Sequence, residues 1–402
     1  MGDDIRFEVI KKIAEAKFKY KDLGKISMLN SSSPPSIFVG SKLKYPLVNV
    51  GIISPLDRDE EAWIYDDMKY WADYDFSIRD VLQLRDNLLN SRFKSNVHEA
   101  TKSQRFVQIA QEIAIASKPV DVEIHLDRDI NVGRDKDRVL APMGMNAQLK
   151  KARVTSNVRV DERLDRTIND ELKASEGMKY LYKNNFSEYT LSKILSVGVL
   201  GLKKNKKFVP TKWSITATDD TLGKQLIEEV KNHKWIENYE IFYGSFMGNC
   251  YILLFFPGVW SYELFELYFP GSDWNLSKEI KASTDFESYE GRKDYASNTV
   301  GGYYAARLPI LEYLNGIQRQ ASVLAIRLET QSYWASLGVW VVRESVRKAL
   351  KNKKITFNDI KEITESARKI SMIKYGFDNK TILDRSKLLE QLKTQTNLNK
   401  WL

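Results

Sequence analysis

One cysteine, Cys250, stands in a chain of 402 residues. An intrachain disulfide is excluded, and so is any zinc or iron–sulfur centre drawn from several cysteines of one chain. This scarcity suits a reducing, intracellular setting. Histidine is nearly as rare: His98, His125 and His233 stand far apart with no ligand spacing, so no structural zinc is expected. Long apolar runs are lacking as well. The longest, Tyr251 to Pro257, is far shorter than the roughly 20 residues a bilayer span needs. The opening residues include Asp3, Asp4, Arg6, Glu8, Lys11 and Lys12 where a secretory signal would be apolar. The expectation is a cytoplasmic protein without a membrane partner. No P-loop, dinucleotide fingerprint or Gly-x-Ser-x-Gly elbow occurs, and no repeat, low-complexity tract or flexible linker interrupts the chain.

What is present belongs to a folded protein. A hydrophobic fraction of 43% and a charged fraction of 29% lie in the globular range. The formal charge of +9 favours polyanionic partners. Its placement says more. From Arg343 to Leu402 there are 15 Lys and Arg against 7 Asp and Glu, so nearly all of the excess sits near the C-terminus. Arg347, Lys348, Lys351, Lys353 and Lys354 are the densest part, a candidate electrostatic surface for DNA or simply a solvated helix end.

Periodicity gives the element types. Ile5, Val9, Ile13 and Phe18 fall at near-helical intervals, an amphipathic opening helix over Ile5 to Lys21. Pro34-Pro35 breaks helix, and Ile37 to Val39 and Leu47 to Ile53 follow as short strands. Helices are expected over Glu60 to Asp73, Ser77 to Leu89 and Thr101 to Ser117; Ser77 with Asp80 forms an acidic capping box. Val120, Val122, Ile124 and Leu126 alternate with polar residues as a half-buried strand. Helical patterns return from Asp161 through Ser196. Tyr239 to Met247, a Gly248-Asn249 turn, Cys250 to Phe256 and Trp260 to Tyr268 read as an antiparallel meander. A strand over Ser322 to Glu329 and helices over Gly338 to Lys351, Phe357 to Ile370 and Asp384 to Leu392 complete the chain. The fold class is α+β: mixed helices with an antiparallel meander, compact, without a clean domain break.

Three stretches carry chemistry. The first, Thr284 to Arg307, places Glu290, Arg292, Lys293 and Arg307 beside Gly301 and Gly302. Glycines let a backbone approach an anion, and Arg and Lys supply charge-assisted hydrogen bonds to phosphate. Against this stands a plain glycine turn before a helix on which Tyr303, Tyr304 and Arg307 pack. The second, KFVPTKWSITATDD, puts a short strand over Trp213 to Thr216, including Ser214, and then Asp219-Asp220. Adjacent carboxylates at a strand end suit a divalent cation such as Mg²⁺, and equally an ordinary helix cap. If the two stretches meet, Asp219 and Asp220 supply a metal or base role. Arg292 and Lys293 supply positive charge, and Trp213, Tyr295 or Tyr303 a stacking face, in a nucleotide-sized pocket. Cys250, after a turn in an apolar strand, reads as a small buried residue.

The third stretch is the terminal QTNLNKWL. Gln395, Leu398, Trp401 and Leu402 fit the Gln-x-x-aliphatic-x-x-aromatic-aliphatic pattern of peptides that dock on the replication sliding clamp. One helical turn gathers Leu398, Trp401 and Leu402 as an apolar plug, while the Gln395 amide offers a donor and an acceptor to a polar slot. The alternative is a terminal helix that packs Trp401 into its own core.

These blocks together resemble the archaeal Nre DNA-repair family. The match runs through SSSPPSIFVG, YPLVNVG, QEIAIASKPVDVE, VPTKWSITATDD, YEGRKDYASNTVGGYYAARLPILEYL and LGVWVVRE to the terminal motif. The resemblance implies tolerance of DNA damage and recruitment by the archaeal sliding clamp, the counterpart of PCNA. It implies segments 1–24 (an amphipathic helix), 25–285 and 286–392 (the family's N- and C-terminal domains) and 393–402 (the clamp peptide). Two departures stand out. Family members often begin with a cysteine-rich zinc segment, absent here, and the family's Gly-Arg after PPS-x-FVG reads Gly40-Ser41. The expected partners are the clamp and DNA or a nucleotide, in a cytoplasmic, nucleoid-associated setting. The alternative function is a metal-assisted enzyme that hydrolyses or transfers phosphate or glycosidic groups of nucleotides.

Overall fold

The computed structural model describes residues 24–102, 104–132 and 144–398, with the side chains of 131–132 and 395–398 left aside. The opening helix expected over Ile5 to Lys21 lies outside the described residues. The rest is α+β, as expected. The chain divides into two compact units between Leu222 and Gly223, inside the helix Thr211–Val230.

In the first unit, six strands form one sheet: β1 (Gly24–Ser33), β2 (Ile37–Gly40), β3 (Leu47–Pro55), β4 (Leu88–Asn96), β5 (Val120–Val132) and β6 (Met145–Val154). Their order is β1-β5-β6-β4-β3-β2, antiparallel except for the parallel pair β4–β6. The expected strands at β2, β3 and β5 are present, and Val120, Val122, Ile124 and Leu126 are buried. Strands β1, β4 and β6 go unannounced by alternation, because Lys, Asn and Ser interrupt their apolar sides. The serines of β1 are buried and satisfied: Ser31 and Ser33 donate to the carbonyls of Pro55 and Ile53, at 2.6 Å each. The capping box of Ser77 and Asp80 forms at the start of the helix Ile78–Asp86.

The second unit holds β7 (Lys234–Trp235), β8 (Tyr239–Phe246), β9 (Asn249–Phe256), β10 (Ser261–Tyr268), β11 (Lys281–Glu287), β12 (Arg319–Gln320), β13 (Ser322–Glu329) and β14 (Ile355–Phe357). Strands β7 and β12 pair with each other, and the other six form a sheet in the order β11-β10-β13-β9-β8-β14. The hairpin β8–β9 forms as its turn predicts. The third strand of the meander is displaced by one place, because β13 inserts between β9 and β10, antiparallel to the first and parallel to the second. The reason is burial. Every residue of β13 and β9 is buried, which requires cover on both faces and so a central position. The helix Gly302–Gly316 lies in the crossover that a parallel β10–β13 pair demands. Strand β11 pairs along its length with β10, so a boundary at 285/286 falls inside one hydrogen-bonded sheet.

Two further readings are corrected. Trp213 to Thr216 is helical, within Thr211–Val230, because Leu222, Leu226 and Val230 recur at helical intervals and are buried. The helix placed at Phe357 starts at Ile360, after the short strand β14, with Asp359 accepting the backbone N–H groups of Lys361 and Glu362.

One sheet face packs against the C-terminal helices. Ile252, Leu254, Phe265, Leu324 and Ile326 form a core with Ile363, Ala367, Leu388 and Leu389. Cys250 belongs to this cluster, and burial pushes its thiol up to about 11. Glu263, on the same strand as Phe265, caps the last helix, Lys387–Leu398. Its carboxylate accepts the Ser386 hydroxyl at 2.5 Å and the N–H groups of Lys387 and Leu388 at 3.2 and 3.0 Å. Burial raises its pKa, and these donors oppose that rise. Glu263→Ala leaves the amides unpaired, and urea unfolding should show a loss of about 1–3 kcal/mol. A loss below about 0.5 kcal/mol would mean that the apolar contacts of Leu388 and Leu389 hold the helix unaided.

Candidate functional site

The other face of the second sheet is charged where apolar packing would be usual. Across β10, β13 and β9, Glu266, Arg327 and Tyr251 are register partners, and Tyr268, Glu329 and Asn249 form the next row of the same face. Arg327 donates to Glu266 at 2.6 Å, to Glu329 at 2.8 Å and through Nε to Asn249 at 2.9 Å. The Tyr268 hydroxyl donates to Glu266 at 2.7 Å. Burial works against the Arg327 charge, but Glu266, Tyr251 and Glu329 outweigh it and hold its pKa above the ordinary value. Burial likewise raises Glu329 and Tyr251. Two carboxylates thus surround one guanidinium.

Glu266 and Arg327 reach the wall of a cavity of about 560 Å³ within this unit. Asn298, Thr299, Gly301 and Gly302 line another side, and Trp274, Val300, Val339 and Val342 supply apolar surface. Lys281 adds a cation. Trp274 and Val300 are 64% and 57% exposed, as residues at an open mouth would be. A Cβ on Gly302 would lie 2.3 Å from Glu266 Oε1, so only glycine lets the start of the helix Gly302–Gly316 sit against that carboxylate. The positive end of the helix therefore already faces an anion belonging to the protein. A phosphate would compete with Glu266 there. The arrangement better suits a ligand edge bearing N–H donors, because two carboxylate oxygens offer about four acceptor sites and Arg327 and Tyr268 use only some.

The residues singled out in the sequence have different surroundings. Gly301 and Gly302 line the cavity. Arg292 and Arg307 are spent on internal partners: Arg292 pairs with Asp285 at 3.1 Å and donates to the Phe286 carbonyl at 2.9 Å, and Arg307 pairs with Glu287 at 2.7 Å. Asp285 also accepts the N–H groups of Asn298 and Thr299 at 2.9 and 2.7 Å, which shapes the loop that borders the cavity. Tyr303 is fully buried, so its ring offers no free face, while Glu290, Lys293 and Tyr295 are exposed on the turn. Asp219 and Asp220 are buried in mid-helix, neither at a strand end nor at a cap. Among the described residues no three His, Cys, Asp or Glu gather as a metal ion would require. Ser214 and Thr216 donate to their own helix, at the carbonyls of Thr211 and Lys212, and Trp213 is exposed. The stretch with Asp219 and Asp220 belongs to the first unit and that with Arg292 to the second.

In the basic region, Arg347 pairs with Glu312 and Glu344, and Lys354 with Glu240. Much of that charge is therefore neutralised internally. Gln395 and Leu398 fall in the last turn of the helix Lys387–Leu398, with their side chains, like Trp401 and Leu402, outside the described residues. Sequence reasoning passed over Glu266, Tyr268 and Arg327. The available signal was ionisable residues inside otherwise apolar strands, SYELFELY and SVLAIRLE.

Comparison with known proteins adds to this geometry. A family model described as archaeal Nre, N-terminal, matches residues 4–275, and one described as archaeal Nre, C-terminal, matches residues 287–401. The chain is 40% identical over 341 residues to a DNA repair protein NreA of Haloferax volcanii, covering 82% of this chain and 81% of that protein. It is 37% identical over 357 residues to a DNA repair protein NreA of Archaeoglobus fulgidus, covering 88% of each. It is 34% identical over 361 residues to a DNA repair protein NreB of the same organism, covering 89% of each. No solved structure matches the chain.

The buried charges make a stability prediction. Arg327→Met strands two buried carboxylates and should lower stability by about 3–5 kcal/mol in denaturant titration. Gly302→Ala should cost roughly 1–3 kcal/mol through its clash with Glu266. Gly301→Ala, whose Cβ would meet only Val339 Cγ1 at 3.1 Å, should cost less. Equal losses for the two glycine variants would remove Glu266 as the reason for Gly302.

Proposed function

Because the chain belongs to the archaeal Nre family, we propose that it is a DNA-repair and damage-tolerance factor recruited by a PCNA-type sliding clamp. Its body holds a nucleotide or nucleic-acid end, and it works in the cytoplasm at the nucleoid. Likeness to archaeal proteins named for DNA repair, over most of the chain, carries this reading.

The cavity on the second unit supplies the body's part. Its volume suits a nucleoside, its apolar walls a base, its Glu266 carboxylate an exocyclic amine, and Lys281 a phosphate left outside. The terminal residues supply the recruitment. The helix Lys387–Leu398, held by Glu263, carries the chain to the docking motif of Gln395, Leu398, Trp401 and Leu402. A peptide of residues 393–402 must order itself on binding, so micromolar affinity, near 8 kcal/mol, is expected.

Calorimetry of the full chain against the clamp tests recruitment. Trp401→Ala should remove most of the binding, and an unchanged affinity in the Trp401→Ala, Leu402→Ala double variant would end the docking reading. Titration with mononucleotides tests the cavity. Lys281→Ala should weaken binding at least tenfold, about 1.4 kcal/mol, with an unchanged thermal transition. Indifference to Lys281 would place any nucleotide elsewhere.

A further inference from the structure

On the first unit, two large aromatic side chains stand half out in solvent beside each other. Tyr45 is 53% and Trp213 47% exposed, with ring centroids 6.4 Å apart and planes inclined by 39°. Tyr45 belongs to the loop between β2 and β3, and Trp213 to the first turn of the helix Thr211–Val230. Both supports are tied down. The Val39 N–H, on β2, donates to Thr211 Oγ1 at 2.9 Å, and the Trp213 N–H to the Pro210 carbonyl at 2.8 Å. On the loop, the Leu47 N–H donates to the Lys44 carbonyl and the Val97 N–H to the Pro46 carbonyl, at 3.0 Å each.

The charge around the pair has one sign on its immediate neighbours. Lys44 adjoins Tyr45 and Lys212 adjoins Trp213, with Lys42 in the same loop. All three are exposed, and none forms an ion pair with another described residue. Lys203, Lys204 and Lys207 are exposed on the segment that leads into the helix. This contrasts with Arg347 and Lys354, whose charges are met by the protein's own carboxylates.

We infer that Tyr45 and Trp213, flanked by Lys42, Lys44 and Lys212, form a stacking platform for single-stranded DNA. Exposed rings among unpaired cations match a ligand that offers flat apolar faces and phosphates together. A single strand does so, whereas a duplex hides its base faces in the stack. A purely apolar protein partner would leave the lysines desolvated without counter-charge. A site for phosphate alone has no use for the rings. The choice of DNA rests on the repair reading above, while the platform itself rests on the rings and lysines.

The test is fluorescence anisotropy of a labelled oligo(dT), and of a duplex of equal length, titrated with the full chain over a range of salt. Wild type should bind the single strand more tightly than the duplex. The Tyr45→Ala, Trp213→Ala variant should lose at least tenfold on the single strand, with its far-UV circular dichroism unchanged, and Trp213→Phe should retain most of the binding. In Lys42→Gln, Lys44→Gln, Lys212→Gln the slope of log K against log salt should fall by about 2, near 0.7 for each phosphate no longer neutralised. Wild-type-like single-strand binding by the aromatic variant would overturn the platform, as would an absence of DNA binding by the wild type. A dimer dissociated by Trp213→Ala, seen by light scattering, would assign the patch to a second copy instead. Clamp titration of the same preparations separates the two claims: intact clamp binding without DNA binding removes the platform alone, and the reverse removes the docking peptide alone.

Discussion

The second unit depends on a layer of paired charges between its sheet and the helix Gly302–Gly316. Arg327 with Glu266 and Glu329, Arg307 with Glu287, and Arg292 with Asp285 are all buried or nearly so. Removing such ions from water costs several kcal/mol each, recovered only where geometry is good and the remaining hydrogen bonds are satisfied. Register provides that geometry. The parallel pairing of β10 with β13 sets Glu266 opposite Arg327, and the pairing of β10 with β11 sets Glu287 opposite Tyr262 and Asp285 opposite Leu264. One residue of slippage would turn these charges to the other face, into the apolar core around Phe265 and Ile326.

The same layer decides what the cavity can receive. Arginines that look available for phosphate are already paired, and the carboxylate of Glu266 occupies the helix start where an anion would otherwise be welcome. The cavity thus sets acceptor oxygens beside apolar surface. Cations without an ion pair to another described residue also stand on the first unit, at Lys42, Lys44 and Lys212 beside Tyr45 and Trp213.

Legibility differed between elements for physical reasons. Strand β5 was plain because one face is buried and the other wet, and the β8–β9 hairpin because its turn is local. The insertion of β13 was not, since nothing local in SVLAIRLE says which strands will flank it. The helical state of Trp213 to Thr216 was hidden for a related reason: its apolar period appears only downstream, at Leu222 and Leu226. Arg292 and Arg307 were visible as charges, but not as spent ones, because their partners Asp285 and Glu287 come from a strand whose pairing is long-range.

By itself the sequence determined the family, the α+β class and the element types where a period or a turn is local. Those properties live in residue order and short spacings. Tertiary structure decided the strand order, the division after Leu222, the cavity with Glu266 and Arg327, and the meeting of Tyr45 with Trp213. Each of these joins residues tens of positions or more apart, and burial, by making every charge find a partner or stay in water, settled which of them remain available for a ligand.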